Sequence, residues 1–358
     1  LYQLYMPSYF LGTFTEYPCL VINIISMKYI FAFCIIFCIE ACHSNIKTEE
    51  IELLSPSRIK GEKISIPERC YEDGILIDSI LILKESCSEN LFYAYNIYTN
   101  EEIYKWGKLG RGPKEFNYPM FVNTFKQDTL TIYDSPIANL IQIPLRNIGQ
   151  KKYLQTQRNL GSYMLFLYNF HLTDSLYVFT SIEADEGLFS IYNRNTEKIF
   201  HVSYKPNYKY KKEERKDVYY HHLSISPKYK TILAAFQYLN LINFYNFDGE
   251  LKKSYTLSHS PEENNYNLYI TEETILQSIQ TYSTDEKIYI LWNGHPMKTE
   301  FIGTSKILVF SWQGDLEKVY ELNNCPRFIT IDEHSGNAFG AVFSEKTEMM
   351  EIQKYILN

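Results

Sequence analysis

Few residues of this chain are spaced for chemistry. His221 and His222 are adjacent, and neighbouring side chains on a strand point to opposite faces, so the pair cannot chelate one ion together. One can face a channel, but a satisfied structural histidine is the plainer reading. His295 follows Asn293-Gly294 in what reads as a long loop. Loops carry function more often than cores do, which makes His295 a candidate ligand contact. Asp134, Asp174, Asp248, Asp285 and Asp332 sit at expected strand ends. Carboxylates gathered from several such ends could hold a divalent metal that activates water, although tight turns also call for one carboxylate each. No GxSxG or HExxH motif occurs. No catalytic, cofactor-binding or metal-ligating residue is therefore assigned.

Two further segments invite a ligand. Trp106 to Pro119 (WGKLGRGPKEFNYP) places Lys108 and Arg111 among three glycines. A phosphate cradle needs such a loop to open a helix, and this one leads into a strand, so a connecting turn is expected. Tyr204 to Asp217 (YKPNYKYKKEERKD) carries six basic residues, three Tyr and three acids. It could grip an anionic polymer, but its own acids cancel half the charge and a solvated loop is the plainer reading.

The elements that position these residues repeat. Six apolar strands begin at Ile80, Leu130, Leu176, Ile232, Ile288 and Ala338. Partners begin at Leu91, Leu140, Leu188, Leu241, Ile307 and Met350. Repeats 46 to 56 residues apart in an all-β pattern indicate propeller blades, which bury their faces only by stacking on neighbours. The 32 Tyr and 22 Phe suit pleated, half-buried strands. Thr271 to Gln280 is the best candidate for a helix, a short one. The formal charge of −7 argues against a general nucleic-acid binder, which needs a basic face.

Met27-Lys28, the apolar run Tyr29 to Ile39 and the small Ala41 form the three parts of a secretory signal. With Cys42 directly after Ala41, the segment resembles a bacterial lipoprotein signal. That resemblance implies lipidation of Cys42, and His43-Ser44 in place of Asp implies delivery to the outer membrane. The other reading is an uncleaved anchor, since Leu20 to Ile39 is long enough to span a bilayer. Residues 1–26 contain no Lys or Arg and read as an upstream extension of the true start at Met27. Of the cysteines that remain, Cys70 and Cys87 are the local choice for a bridge, with Cys325 left over.

Trp106 to Pro119, followed by Ile132-Tyr133-Asp134 and Asn139 to Ile143, looks like an NHL-type propeller repeat. Asp285 to Gly294, Ile307 to Leu316 and Phe328 to Glu333 are similar, in that order, to strands of TolB-like six-bladed propeller lipoproteins of Bacteroidetes. Within the chain, Gly249 to Leu257 (GELKKSYTL) recurs as Gly314 to Leu322 (GDLEKVYEL). The resemblance implies a fold and a compartment only.

The expected chain is thus a signal at 27–41, a lipidated linker at 42–59 and a six-bladed β-propeller at 60–358. A strand near Lys63 to Ile66 should close the ring against the last blade, because an open edge would otherwise remain. The expected role is a binding or scaffolding lipoprotein at the outer membrane, on its periplasmic side or at the cell surface, for a peptide, glycan or partner protein. It could serve as an accessory to nutrient uptake. The alternative is a hydrolase or lyase using a divalent metal in the central channel.

Overall fold

The computed structural model describes residues 46–357 apart from 113–114, 125–127, 151–154, 182–186, 207–211, 259–269 and 300–301. Residues 1–45, with the expected signal and Cys42, lie outside the described residues, as do Pro113 and Lys114 of the glycine loop. Six antiparallel sheets follow one another along the chain as the blades of a propeller. From blade 1 to blade 6 the innermost strands are Tyr71–Ile77, Pro119–Phe121, Leu167–Leu172, His221–Ser226, Ile275–Ser283 and Ile329–Asp332. The apolar strands that mark the repeat are the second of each blade, from Ile80–Glu85 to Asn337–Ser344. They are apolar because a second strand is covered by a neighbouring blade on each face.

The core lies between blades. Phe92 and Trp106 of blade 1 pack with Phe116 of the connector and with Leu130 and Ile132 of blade 2. Phe92 meets Phe116 edge-on at 5.1 Å between centroids. Burying each such ring is worth about 2–3 kcal/mol. Gly107 has φ +78, and a Cβ there would lie 2.8 Å from the Phe92 ring, so the loop needs glycine at that point. The loop closes on itself where the Glu115 carboxylate accepts the Gly112 N–H at 2.6 Å. It is a connecting turn, as expected.

The ring closes as the sequence suggests, with Glu62–Lys63 pairing antiparallel to the last strand of the chain through Lys63↔Gln353. Upstream, the linker expected at 42–59 is narrower than its bounds. Glu49–Ile51 adds a parallel strand to the outer edge of blade 4 (Ile51↔Leu257), and Ser57–Ile59 does the same on blade 5 (Ile59↔Leu322). The compact unit accordingly starts at Thr48. The two receiving strands are the internal repeat Gly249 to Leu257 and Gly314 to Leu322, and the strap meets both in the same register. A bare outer strand offers unpaired N–H and C=O groups, which is why apolar Ile51 and Ile59 settle there instead of remaining in a linker.

The Cys70–Cys87 bridge forms and ties the ring-closing segment to blade 1, while Cys325 is buried and unbridged. Thr271 to Gln280 is not a helix. Its second half lies in the innermost strand of blade 5, where pairing with Lys287–Pro296 overrides local preference. The α-helix among the described residues is the short Lys212–Val218, between blades 3 and 4.

Candidate functional site

The innermost strands have no strand partner on their channel side, so their inward N–H and C=O groups need other partners. Side chains from other blades supply them. Leu76 N–H donates to Thr330 Oγ1 at 2.9 Å, and Ile329 N–H to Gln280 Oε1 at 2.7 Å. Thr281 Oγ1 donates to the Leu223 carbonyl at 2.8 Å, and Asn169 Nδ2 to the His221 carbonyl at 2.7 Å. Asn123 of blade 2 reaches across the ring, its Nδ2 donating to the Ser283 carbonyl of blade 5 at 2.9 Å. That last bond, with Ile75 and Tyr282 beside it, divides the channel into two chambers.

Call the side where the innermost strands begin the upper face. The upper chamber, about 140 Å³, is lined by Asp73, Met120, Tyr168, Asn169, His222 and Gln280 among others. Irregular strands bring these side chains together. A register shift between Leu167 and Asn169 lets both Tyr168 and Asn169 line the chamber, and two more shifts between Leu276 and Gln280 do comparable work in blade 5. Burial pushes the His171 and His222 imidazoles down to about 4, so both are neutral at physiological pH. Burial also pushes the Asp73 carboxyl up, against the pull of nearby Lys84. The Tyr168 ring is held by stacking on Tyr220, with centroids 4.9 Å apart and planes 11° from parallel. Burial pushes the Tyr220 hydroxyl up to about 12.

The lower chamber, about 350 Å³, opens between Asp78, Asp285, Asp332, Glu333 and His334. Asp332 Oδ1 accepts the backbone N–H groups of His334 and Ser335 at 3.1 and 3.3 Å, and Glu333 accepts the Tyr289 hydroxyl at 3.1 Å. Asp174 and Asp248 also lie at lower turns. Asp134 does not: it is buried near the upper face, where its two oxygens accept the Asn117 and Tyr118 N–H groups at 2.9 Å. The five strand-end aspartates therefore do not converge. Among the described residues no three His, Cys, Asp or Glu side chains come together as a metal would need. The donor set of the described residues does not fit the divalent ion of the hydrolase alternative.

The histidine pair divides as strand geometry requires. His221 is buried between blades 3 and 4, donating from Nδ1 to the Tyr219 carbonyl at 2.8 Å and facing Thr180 Oγ1 at 3.2 Å, while His222 lines the chamber. His295 lies in the strand Lys287–Pro296, not in a loop, and its Nε2–H donates to the Thr304 carbonyl at 2.7 Å. That strand is the longest second strand of the six, which explains the wide spacing in the fifth repeat. The basic segment folds Tyr204 inward, where it meets Tyr219 edge-on at 4.8 Å and Arg215 lies 5.2 Å over it. Its residues 207–211 lie outside the described residues.

A model of the TolB-like 6-blade propeller-like family matches residues 73–334. The chain belongs to that family. Among solved structures it is similar to an exported protein of Bacteroides fragilis, with TM-score 0.51 and 12% identity over 86% of this chain and 99% of the other. It is also similar to a member of the DUF4221 family from Bacteroides vulgatus, with TM-score 0.56 and 10% identity over 84% of this chain and 97% of the other. At such identities the likeness is one of fold. No curated protein matches.

Asp73, Tyr168, Asn169, Asn123 and Gln280 were invisible as site residues in the sequence. Asp73, Tyr168, Asn169 and Gln280 sit on innermost strands and Asn123 just past the end of one, with no motif around any of them. The one usable signal was the lack of alternation in strands that must border a channel.

Proposed function

We propose that this TolB-like propeller is a binding module of the cell envelope, carried on a lipid at Cys42 and engaging its ligand or partner through the upper face. The observation that carries this reading is the distribution of exposed apolar side chains. Ile302, Tyr118 and Leu109 are 64%, 59% and 57% exposed, and with Ile137, Phe166 and Phe343 they occupy upper turns or strand ends. The lower turns present mainly carboxylates, with Tyr98, 70% exposed, as the exposed aromatic beside them. Phe166 is held at φ +54, a conformation that costs a non-glycine residue about 1–2 kcal/mol, with its ring turned to solvent. Strain kept at an exposed aromatic is a mark of a working surface. The tripartite signal before Cys42 supports the compartment, and so does the exported relative.

The test is capture of tagged full-length protein from gently solubilised native membranes, beside a variant carrying Leu109→Ser and Phe166→Asn. Asn tolerates the left-handed conformation, so the variant should fold while losing the surface. Wild type should retain a stoichiometric partner that the variant loses; equal capture by both would sink the upper face. Cys42→Ala should release the protein to the soluble fraction, and its persistence in membranes would sink the anchor.

A further inference from the structure

Resting on that binding reading, we infer that the upper chamber is a saccharide site, built to take the terminal ring of a neutral glycan against Tyr168, Asn169, Asp73 and Gln280. The first argument is what remains of each amide after it has tied the blades. Asn169 and Asn123 commit their Nδ2 groups to backbone carbonyls, and Gln280 commits its Oε1 to a backbone N–H. Their orientations are fixed by this chemistry, because a carbonyl must receive a donor and an N–H must receive an acceptor. Asn169 and Asn123 therefore keep their Oδ1 acceptors, while Gln280 keeps its Nε2 donors. Hydroxyl groups both donate and accept, so a polyol uses the two kinds together.

The second argument is charge. Among the described residues no Lys or Arg lines the chamber, and its histidines are neutral. The nearby Lys84 is held by Glu72 at 3.7 Å and by the Pro119 carbonyl at 3.3 Å. An anionic ligand would therefore meet no countercharge in the lining itself, and a free amino acid would need both signs. A cation would rely on Asp73 alone, whose carboxyl burial drives toward its neutral form. The third argument is the aromatic wall. Tyr168 is fixed by its stack on Tyr220, which makes it a preordered surface for the C–H groups of a pyranose.

Shape narrows the ligand further. The chamber's 140 Å³ is the space of about five waters, room for one ring. Its floor is closed by the Asn123–Ser283 bond. A chain could enter only by its end, with the following residues leaving toward the upper face.

The experiment is saturation-transfer NMR and titration calorimetry on the full chain. The probes are glucose, galactose, N-acetylglucosamine and their β-linked disaccharides, with glucuronate as the charged control. At least one neutral sugar should bind, with the terminal ring of its disaccharide most strongly saturated. Met120→Trp, which fills the chamber without removing a blade tie, should weaken that affinity at least about tenfold. Should that variant fail to fold, Asp73→Ala supplies the same reading through loss of one hydrogen-bond partner. Undiminished binding by a folded variant would overturn the site, and equal binding of glucuronate would overturn the neutral ligand. If no sugar binds while a partner is still captured through Leu109 and Phe166, the saccharide inference fails and the binding module stands. If neither is seen, both fail.

Discussion

Above the Asn123–Ser283 bond the channel is lined by amides, neutral imidazoles, tyrosine and one carboxyl, Asp73, that burial drives toward its neutral form; below it, by carboxylates at turns. The same strands run through both chambers, so the difference is one of burial. In the narrow upper chamber inward backbone groups are cut off from water, and the side chains that satisfy them must be polar but uncharged. In the wider lower mouth water reaches the turns, and aspartates can cap them while ionised. Polar lining in a propeller channel therefore first reports how blade edges are satisfied. Only the capacity left after that is open to a ligand.

Acid should break this contrast from above with the largest effect. Burial lowers His221, directly behind the upper chamber, from 6.5 to about 4. Between those values the unfolded chain binds more protons than the folded one, so stability is complete above pH 6.5 and is lost as pH falls toward 4. For this residue the loss is on the order of 3 kcal/mol. Denaturation midpoints at neutral and acid pH should differ less in His221→Gln than in wild type; an unchanged difference would assign the acid sensitivity elsewhere.

Asn123→Ala should join the chambers and strand the Ser283 carbonyl, with a loss of about 1–3 kcal/mol in urea denaturation. A loss within error would mean that the dividing bond contributes nothing to the wall it forms. Asp332→Asn at the lower mouth keeps the Oδ1 that accepts the His334 and Ser335 N–H groups. It replaces the Oδ2 that accepts the Ser335 hydroxyl with an amide, from which that hydroxyl can turn to accept instead. Its effect on stability should stay within about 0.5 kcal/mol, and a larger change would show that the lower carboxylates act as a group.

The fold was legible because the second and third strands of each blade are buried on both faces and read as apolar runs, such as Ile80 to Leu83 and Ile307 to Phe310. The site was not. Innermost strands such as His221–Ser226 and Ile275–Ser283 trade apolar residues for the hydroxyls and amides that tie blades together, and bulges break their alternation. Which of two adjacent residues faces the channel, as with His221 and His222, depends on register that a single sequence does not encode. The strap was half visible. Its two receiving strands stood out as a repeat, but three-residue strands such as Glu49–Ile51 carry too little pattern to be told from a linker.

The strap also sets a schedule. Thr48 finds Ser254 206 residues away, and Arg58 finds Glu321 263 residues away. The strap is thus made long before the strands that receive it and is among the last parts to be placed, since closing loops of that length is slow. Until the strap has docked on Leu251–Leu257 and Leu316–Leu322, the edges of blades 4 and 5 and the strap itself stand open to a second chain. Exchange of straps between two molecules is the misassembly this topology has to outrun.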